Sequence, residues 1–244
     1  MRLASEIVPV CDVPSRDRQR MFSLMQRCYK RVERRQFEHD LQGKQIVIQV
    51  RNPEDDQLVG FSTQVVLNCD VNGQAVRALY SGDTVMEPSF WGDSALAHAW
   101  GNFALQLLDD HRRDGPLYWF LTSKGFRTYR YMPLFFKQFC PRFDQEPVGS
   151  PRAVLCALGE QVAGADFDPQ ACVIRRRNAA YATRHDVADP GRRVQVDPHV
   201  RYFIERNPGY LQGDELCCLA PLSRDNFTAA AYRVINATAP CEVR

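Results

Sequence analysis

Apolar positions recur every three or four residues in two segments near the start of the chain. In the first, residues 15–29, the apolar positions are Met21, Leu24, Met25 and Cys28. Arg and Gln side chains lie between them, so the apolar residues would share one face of a helix. The second, residues 33–41, is more charged and ends before Gly43. The pattern predicts two consecutive helices.

Three segments with the composition of strands follow. Residues 45–50 and 58–67 are rich in Val, Ile and Leu and are separated by the polar turn at 52–56. A third segment, residues 76–86, comes after Asn72-Gly73, a common hairpin signal. Because the connections are short, we expect the three strands to be antiparallel neighbours.

The third strand leads into a loop and then an amphipathic helix. The loop reads Pro88-Ser89-Phe90-Trp91-Gly92-Asp93-Ser94. One helical stripe follows and ends near Asp110: Leu96, Ala99, Trp100, Phe103 and Leu107. Such a loop can bind an anion, because the first turn of a helix has unpaired N–H groups at the positive end of its dipole. It can also be a turn that binds nothing, with Asp93 or Ser94 capping the helix.

The rest of the chain carries further elements. Residues 117–122 are almost wholly apolar, as in a central strand, and residues 127–139 form an aromatic-rich segment with a helical pattern that stops at Pro141. Beyond it the pattern predicts a helix over 150–161, a helix from Asp197, a strand over 215–220 and a helix over 226–235.

Composition narrows the function classes. The formal net charge is +2 over 244 residues, which gives no overall field for nucleic acid or an anionic membrane. No apolar run reaches the length of a membrane span, and the N-terminus lacks a leader pattern, so we expect a cytoplasmic protein. The nine cysteines are scattered without a C-x-x-C spacing, which predicts buried thiols and no metal site. The strand pattern would send Cys217 and Cys218 to opposite faces.

The loop resembles the acyl-CoA pyrophosphate loop of the GNAT acyltransferases. In that family it reads approximately Pro-x-Tyr-Arg-Gly-x-Gly-x-Gly/Ala; here Pro88 matches, Phe90 takes the aromatic position, Gly92 the first glycine, and Met86 the aliphatic position before it. The family's arginine is replaced by Trp91, and the two later glycines by Ser94 and Leu96. The element order over residues 6–143 is also similar to the GNAT core.

The resemblance implies an α/β fold, with a mixed and mainly antiparallel central sheet flanked by helices. Residues 1–143 would form the GNAT-like core. Residues 144–244 would be an enlarged C-terminal extension that completes the sheet and covers the acceptor pocket, within one structural domain.

The resemblance also implies a thioester donor as co-substrate, with no tightly bound cofactor. Donor-binding candidates are Met86, Trp91, Gly92, Asp93, Ser94 and Ser123. Without the loop arginine, the amides of Gly92 to Ser94 could still hold a single phosphate, so acyl-CoA and a phosphopantetheine acyl-carrier protein both remain open. Arg175-Arg176-Arg177 is the densest cationic run and suits an acidic carrier protein, or else is a solvated loop.

Acyl transfer to an amine requires a polarised thioester carbonyl and a proton acceptor. In the family a splayed strand supplies a backbone N–H, here near Val85. Asp83 and Glu87 lie near this splay and are candidate bases. Phe136 occupies the family's tyrosine position, so Tyr129, Tyr131 or Ser123 could replace the general acid, and His199 is a further catalytic candidate. Each of these has an ordinary structural alternative as a core, capping or surface residue.

The sequence therefore favours an N-acyltransferase in which a small-molecule amine attacks a phosphopantetheine thioester directly. The alternative is a catalytically silent GNAT-like module that binds an acyl carrier or a small ligand. An interaction protein without any ligand is the third interpretation.

Overall fold

The computed structural model describes residues 3–110, 115–145, 149–175 and 191–237, and the backbone alone of 241–243. Its centre is one mixed sheet whose strand order is β6-β7-β8-β5-β4-β3-β2-β1-β9. The strands are β1 (Ala4–Pro9), β2 (Ile46–Asn52), β3 (Gln57–Val71), β4 (Gln74–Met86), β5 (Leu117–Ser123), β6 (Phe167–Asp168), β7 (Val173–Ile174), β8 (Glu215–Pro221) and β9 (Cys241–Val243). Only β4 with β5 and β1 with β9 pair in parallel among these strands. The expected fold class is confirmed.

Helices cover both faces of the sheet. They are α1 (Ser15–Cys28), α2 (Arg34–Gln42), α3 (Ala95–Asp110), α4 (Phe126–Tyr129), α5 (Tyr131–Phe135), α6 (Ser150–Ala163), α7 (Arg193–Val196), α8 (Pro198–Arg206) and α9 (Ala229–Ile235). The apolar stripe of α3 packs on one face with α5, α8 and α9. The helices α1 and α2 pack on the other face, and α6 covers the neighbouring strands.

Some elements differ from the sequence pattern. The aromatic segment predicted as one helix over 127–139 forms two short helices, α4 and α5, and leaves helical geometry at Phe136. Phe136 instead forms an isolated bridge with Phe227, so a contact distant in sequence replaces the helical one. The pattern also did not reveal β1, β6 or β7, which are short or lack clear alternation.

The C-terminal part of the chain enters the central sheet. The strand β8 pairs antiparallel with β5, from Tyr118 with Pro221 to Ser123 with Leu216. Cys217 and Cys218 point to opposite faces, one into the cluster under α6 and the other into the cluster under α3. The boundary at residue 143 stays a prediction, but the sheet itself runs across it.

The sheet opens between β4 and β5. Their parallel pairing runs from Arg77 with Leu117 to Ser81 with Leu121 and ends there, although β4 continues to Met86. At the same place the register between β3 and β4 shifts by one residue. Ser62 pairs with Thr84 and Gln64 pairs with Ser81, so one residue of β3 lies opposite two residues of β4. The extra residue in β4 is a β-bulge, which bends the strand away from its neighbour. This opening leaves room for a cleft between the end of β4 and the segment after β5.

Candidate active site

A cleft of about 830 Å³ lies at the opening between β4 and β5. Its walls come from the end of β4, the loop before α3, the segment after β5, and the region of α1 and α2. Val162, Asp166 and Glu215 from the C-terminal part also line it. Six of the catalytic and donor-binding candidates line this cleft: Asp83, Met86, Trp91, Gly92, Asp93 and Tyr131.

The loop before α3 has the geometry of a helix entry. Gly92 has a φ of 98° and would add no contact if it carried a Cβ, so the backbone conformation is what requires glycine there. The Asp93 carboxylate accepts the Ala95 N–H at 2.7 Å. The Ser94 carbonyl accepts the His98 N–H at 2.8 Å, which begins the helical ladder. Asp93 therefore caps α3 and also lines the cleft.

Trp91 occupies the loop position at which the GNAT family has an arginine, and its ring contacts Arg127, an arginine from the segment after β5. The Arg127 guanidinium lies 4.4 Å from the centre of the Trp91 ring, a cation–π contact. The Trp91 indole donates to the Met86 carbonyl at 3.0 Å. Arg127 and Trp91 both line the cleft. Positive charge is thus present beside the loop, although the loop sequence lacks it.

The end of β4 presents a backbone amide to the cleft. The Glu87 N–H donates to the Val59 carbonyl of β3 at 2.8 Å. Because N–H groups alternate in direction along a strand, the Met86 N–H faces away from β3. The Met86 carbonyl, which accepts the Trp91 indole, faces the same side. This amide lies at the end of the splayed strand, where the sequence predicted a carbonyl-binding group.

Asp83 lies on the bulge of β4, half-buried in the cleft. Burial raises the pKa of its carboxyl above the ordinary value of 3.8, while the nearby Lys124 and Lys44 ammonium groups act in the opposite direction. Lys44 lies over the Tyr80 ring at 5.6 Å and donates to the Asp40 carbonyl at 3.1 Å. The carboxyl of Asp83 is therefore a stronger proton acceptor than an exposed aspartate.

The sequence did not reveal three further residues beside Asp83. The Lys124 ammonium lies 5.2 Å from the Tyr29 ring and 3.7 Å from the Glu215 carboxylate. Burial raises the pKa of Tyr29, and the Asp83 carboxylate adds to this, so its hydroxyl stays protonated. Tyr29 follows α1, Lys124 follows β5 and Glu215 begins β8. No local pattern links these positions, since they meet only through the sheet.

Glu87, the second candidate base, has a different environment. Its carboxylate accepts from Arg20 at 3.1 Å and forms an ion pair with Arg27, both on α1. Glu87 does not line the cleft as Asp83 does. Its ion pairs with these two guanidinium groups attach α1 to the end of β4.

The two candidate tyrosines occupy different places. Tyr131 lines the cleft, and burial raises the pKa of its hydroxyl. Tyr129 lies in the core, where its hydroxyl donates to the Pro141 carbonyl at 3.1 Å and its ring packs against Phe203. Phe136, at the position where the family has tyrosine, is buried between Trp100, Trp119 and Phe227. Tyr131 is thus the tyrosine among these that reaches the cleft.

Three further candidates, His199, Ser123 and Arg175, lie away from the cleft walls. His199 is packed between the Phe139 and Phe143 rings, and burial lowers its pKa. Ser123 is buried and donates to the Gly125 carbonyl at 2.8 Å. Arg175 is paired with Asp168 at 3.0 Å and with Asp214 at 3.5 Å. Arg176 and Arg177 lie outside the described residues.

Among the described residues, His, Cys, Asp and Glu side chains form no group of three or more suited to a metal ion. None of the helices that these residues form combines the length and apolar character needed to cross a membrane.

No family model and no curated protein matches this sequence. Solved structures that are similar to it include a probable N-acyltransferase from Enterococcus faecalis V583, at 16% identity over 57% of this chain and 33% of that chain, with a TM-score of 0.40. Another is the GNAT family N-acetyltransferase YhbS from Escherichia coli in complex with CoA, at 11% identity over 100% of this chain and 91% of that chain, with a TM-score of 0.40. A third is a mutant of the toxin AtaT bound to the C-terminus of the antitoxin AtaR and acetyl-CoA, at 12% identity over 63% of this chain and 91% of that chain, with a TM-score of 0.37.

The chain spans about a third of the length of the Enterococcus protein. The GNAT-like fold of this chain is seen in its own strand order and in the opening between β4 and β5.

Proposed function

We propose that the protein is an N-acyltransferase that moves an acyl group from acyl-CoA to an amine by direct attack. The observation that carries this proposal is the opening between β4 and β5, where the loop before α3 and the Asp83 carboxyl line one cleft. The acyl donor would enter along the loop before α3, and the amine would enter from the side of Asp83.

The donor phosphates would lie between the loop and Arg127. The guanidinium on the Trp91 ring supplies the cation that a pyrophosphate needs, and the loop amides before α3 add hydrogen-bond donors. This arrangement favours the diphosphate of CoA over the single phosphate of a carrier-bound phosphopantetheine. The ion pairs of Arg175 with Asp168 and Asp214 also reduce the charge available to an acidic carrier protein.

The acceptor would be cationic before it reacts. Acidic residues in the cleft lining outnumber basic ones: they are Glu33, Asp40, Asp83, Asp93, Asp166 and Glu215, against Arg31, Lys44, Lys124 and Arg127. An excess of carboxylates favours an ammonium substrate over an anionic one. A primary amine, protonated in solution, fits this balance.

The residues of the cleft account for each proton. Asp83 takes one proton from the ammonium, and the free amine attacks the thioester carbon to form the C–N bond. The carbonyl oxygen gains negative charge that the Met86 N–H stabilises. As the C–S bond breaks, the Tyr131 hydroxyl gives its proton to the sulfur, and the second proton of the nitrogen passes to the Tyr131 oxygen and restores its hydroxyl. Asp83 then releases the first proton to water.

Replacing Asp83 tests the proposed base. We expect Asp83→Asn to lower kcat for acetyl transfer to primary amines by about 100-fold or more, since a positioned base contributes about 10²- to 10⁴-fold. The activity of the wild type should rise with pH through a midpoint above 3.8, because burial raises the pKa of this carboxyl. Product would be measured by mass spectrometry with a lysyl peptide, spermidine and an amino sugar as acceptors.

Glu87→Gln is the matched control, because this carboxylate is paired with α1 and lies outside the cleft lining. It should keep kcat within about threefold, short of the loss expected for a base. Full activity in Asp83→Asn would refute the role of Asp83. Binding of acetyl-CoA without turnover of any acceptor by the wild type would support the silent module instead, as the core position of Phe136 would allow.

The donor is tested with three thioesters that share the acetyl-pantetheine arm: S-acetylpantetheine, S-acetyl-4′-phosphopantetheine, which adds one phosphate, and acetyl-CoA, which adds the diphosphate and the nucleotide. Their binding would be compared by isothermal titration. We expect acetyl-CoA to bind at least about tenfold more tightly than the other two, and Arg127→Ala to remove most of that advantage. Equal binding of acetyl-CoA and S-acetyl-4′-phosphopantetheine would favour a carrier protein over CoA.

A further inference from the structure

A chain of buried hydrogen bonds runs beneath the cleft and ends at Thr84. The Trp119 indole donates to the Ser81 hydroxyl at 2.8 Å, and Ser81 donates to the Gln64 carbonyl oxygen at 2.6 Å. The Gln64 amide nitrogen donates to the Ser62 hydroxyl at 2.7 Å, and the Ser62 and Thr84 hydroxyl oxygens lie 2.8 Å apart. Trp119, Ser81, Gln64 and Ser62 are buried, whereas Thr84 lines the cleft.

The hydrogen bonds of this series all donate in the same direction, from Trp119 toward Thr84. An indole N–H can only donate, so Ser81 accepts from Trp119 and uses its own proton toward Gln64. Gln64 in turn donates to the Ser62 hydroxyl. The distance between the Ser62 and Thr84 oxygens fits either hydroxyl as donor, but the Ser62 proton has no other hydrogen-bond acceptor among the described residues, so it is directed at Thr84. If the Gln64 amide were reversed, the Ser81 proton would have no acceptor among the described residues, and a buried donor without a partner is costly. The Thr84 oxygen therefore accepts within the chain, and its proton is left for a partner elsewhere.

The Thr84 proton has a weak partner within the protein. Its oxygen lies 3.4 Å from the Gly82 carbonyl, beyond the usual range for a hydroxyl donor. The hydroxyl stands two residues before Met86, whose N–H faces the cleft. The Met86 N–H points into the opening within the plane of the sheet, and the Thr84 side chain lines the same cleft two residues earlier on β4. These are the two donors that this end of the strand offers to a ligand oxygen.

An apolar recess of about 30 Å³ lies directly behind Thr84. Its walls include Ala97, Trp100, Leu121 and Phe135, and it meets the main cleft at Thr84, Leu96, Thr128 and Tyr131. The volume accepts about two groups of the size of a water molecule. A methyl or ethyl group fits this recess, and a long alkyl chain does not.

We infer that the Thr84 hydroxyl donates to the acyl carbonyl oxygen of the donor, with a short alkyl group lying in the recess behind it. This inference rests on the proposed acyl transfer. Thr84 and the Met86 N–H would share the negative charge that develops on the oxygen when the amine attacks. The hydrogen-bond chain from Trp119 keeps the threonine proton directed outward before the substrate arrives.

The test compares Thr84→Val, which keeps the shape of the side chain, with Thr84→Ser, which keeps its hydroxyl. We expect Thr84→Val to lower kcat about 100-fold with little change in KM for acetyl-CoA, and Thr84→Ser to stay within about threefold. Thermal melting of both variants checks the fold. Hexanoyl-CoA should show a kcat/KM about 100-fold below that of acetyl-CoA or propionyl-CoA, because its chain exceeds the recess.

An infrared measurement separates this inference from the proposed function. With [1-¹³C]acetyl-CoA bound, the carbonyl band should lie at lower wavenumber in the wild type than in Thr84→Val. Wild-type kcat in Thr84→Val, or an unshifted band, would refute the role of Thr84 while leaving acyl transfer intact. An equal kcat/KM for hexanoyl-CoA and acetyl-CoA would refute the role of the recess in holding the alkyl group.

If the wild type binds acetyl-CoA but transfers nothing, the proposed reaction fails and the carbonyl band alone decides the role of Thr84. If acetyl-CoA does not bind at all, both proposals fail.

Discussion

Two carboxylates near the end of one strand show how environment separates residues of one chemical type. Asp83 and Glu87 both lie near the end of β4, and the sequence offers no reason to prefer either as a base. In the structure Glu87 is held by Arg20 and Arg27, whereas burial raises the pKa of Asp83. The difference arises from α1, which packs against one carboxylate and leaves the other in the cleft.

His199 gives a prediction about stability and pH. Burial lowers its pKa below the ordinary value of 6.5; Arg142 and Arg130 act in the same direction, and Asp197 and Asp144 oppose them. A histidine whose pKa is lowered by folding resists protonation in the native state. Its contribution to stability is present above about pH 6.5 and is lost as the pH falls toward the native pKa.

The measurement is the urea midpoint between pH 7.5 and pH 5. We expect His199→Phe, which keeps an aromatic ring among Phe139 and Phe143, to lose less stability across this range than the wild type. An identical decline in both proteins would show that His199 does not contribute to it. The nearby Asp144 carboxylate does not contribute to the decline in this pH range, because hydrogen bonding to Arg142 lowers its pKa below 3.8.

At the scale of elements, α3 shows how a helix predicted from periodicity depends on a distant partner. Its apolar stripe was visible in the sequence, and the helix runs from Ala95 to Asp110. Gly101 lies where α3 contacts α9, and a Cβ at this position would meet the Ile235 side chain. The absence of a side chain permits the close approach of the two helices, although glycine weakens a helix interior.

We expect Gly101→Ala to destabilise the protein by about 1 to 3 kcal/mol, the usual cost of overpacking a core. The free energy of unfolding would be measured by urea denaturation. In the double variant Gly101→Ala with Ile235→Ala, the new methyl has room, so the total loss should be smaller than the sum of the two single losses.

Gly43→Ala is the control for this prediction. Its Cβ would make an ordinary contact at 3.5 Å with the Asp40 carbonyl, so it should change stability by less than about 1 kcal/mol. Additive losses in the double variant would contradict the proposed contact between Gly101 and Ile235.

At the scale of the whole molecule, the sheet separates buried clusters on its two faces. Most of the described cysteine side chains lie in these clusters and are shielded from solvent. Among the cysteines whose side chains are described, Cys11 is exposed, Cys69 and Cys156 are half-buried, and the others are buried. Burial raises the pKa of Cys140 to about 12 and that of Cys218 well above its ordinary value. Reactivity requires an accessible thiolate, which these buried groups do not provide.

Alkylation with iodoacetamide, followed by intact mass, tests this arrangement. In a Cys241→Ser variant, which removes the one cysteine without a described side chain, we expect a single rapid addition at Cys11 in the native protein. Slow additions at Cys69 and Cys156 should follow, and all eight remaining thiols should react in denaturant. Rapid modification of Cys140 or Cys218 before unfolding would contradict the packing of the sheet.

Local sequence was sufficient for most elements and for the loop. Periodicity identified α1, α2, α3 and α6, and the apolar runs identified β2 to β5 and β8, because helices and strands impose their own spacing on core residues. Trp91 to Ser94 were recognisable because the turn into α3 uses neighbouring residues. Short strands such as β6 could not be predicted, since two residues are too few to show a periodic pattern.

The chemistry of the cleft depends on contacts between segments that lie far apart in the chain. Arg127 restores beside Trp91 a charge that the loop lacks, and Tyr29, Lys124 and Glu215 meet only after β5 and β8 pair. The burial that raises the pKa of Asp83, like the ion pairs of Glu87, comes from such packing. Charge and desolvation act through space, and the spacing of residues along a chain does not record them.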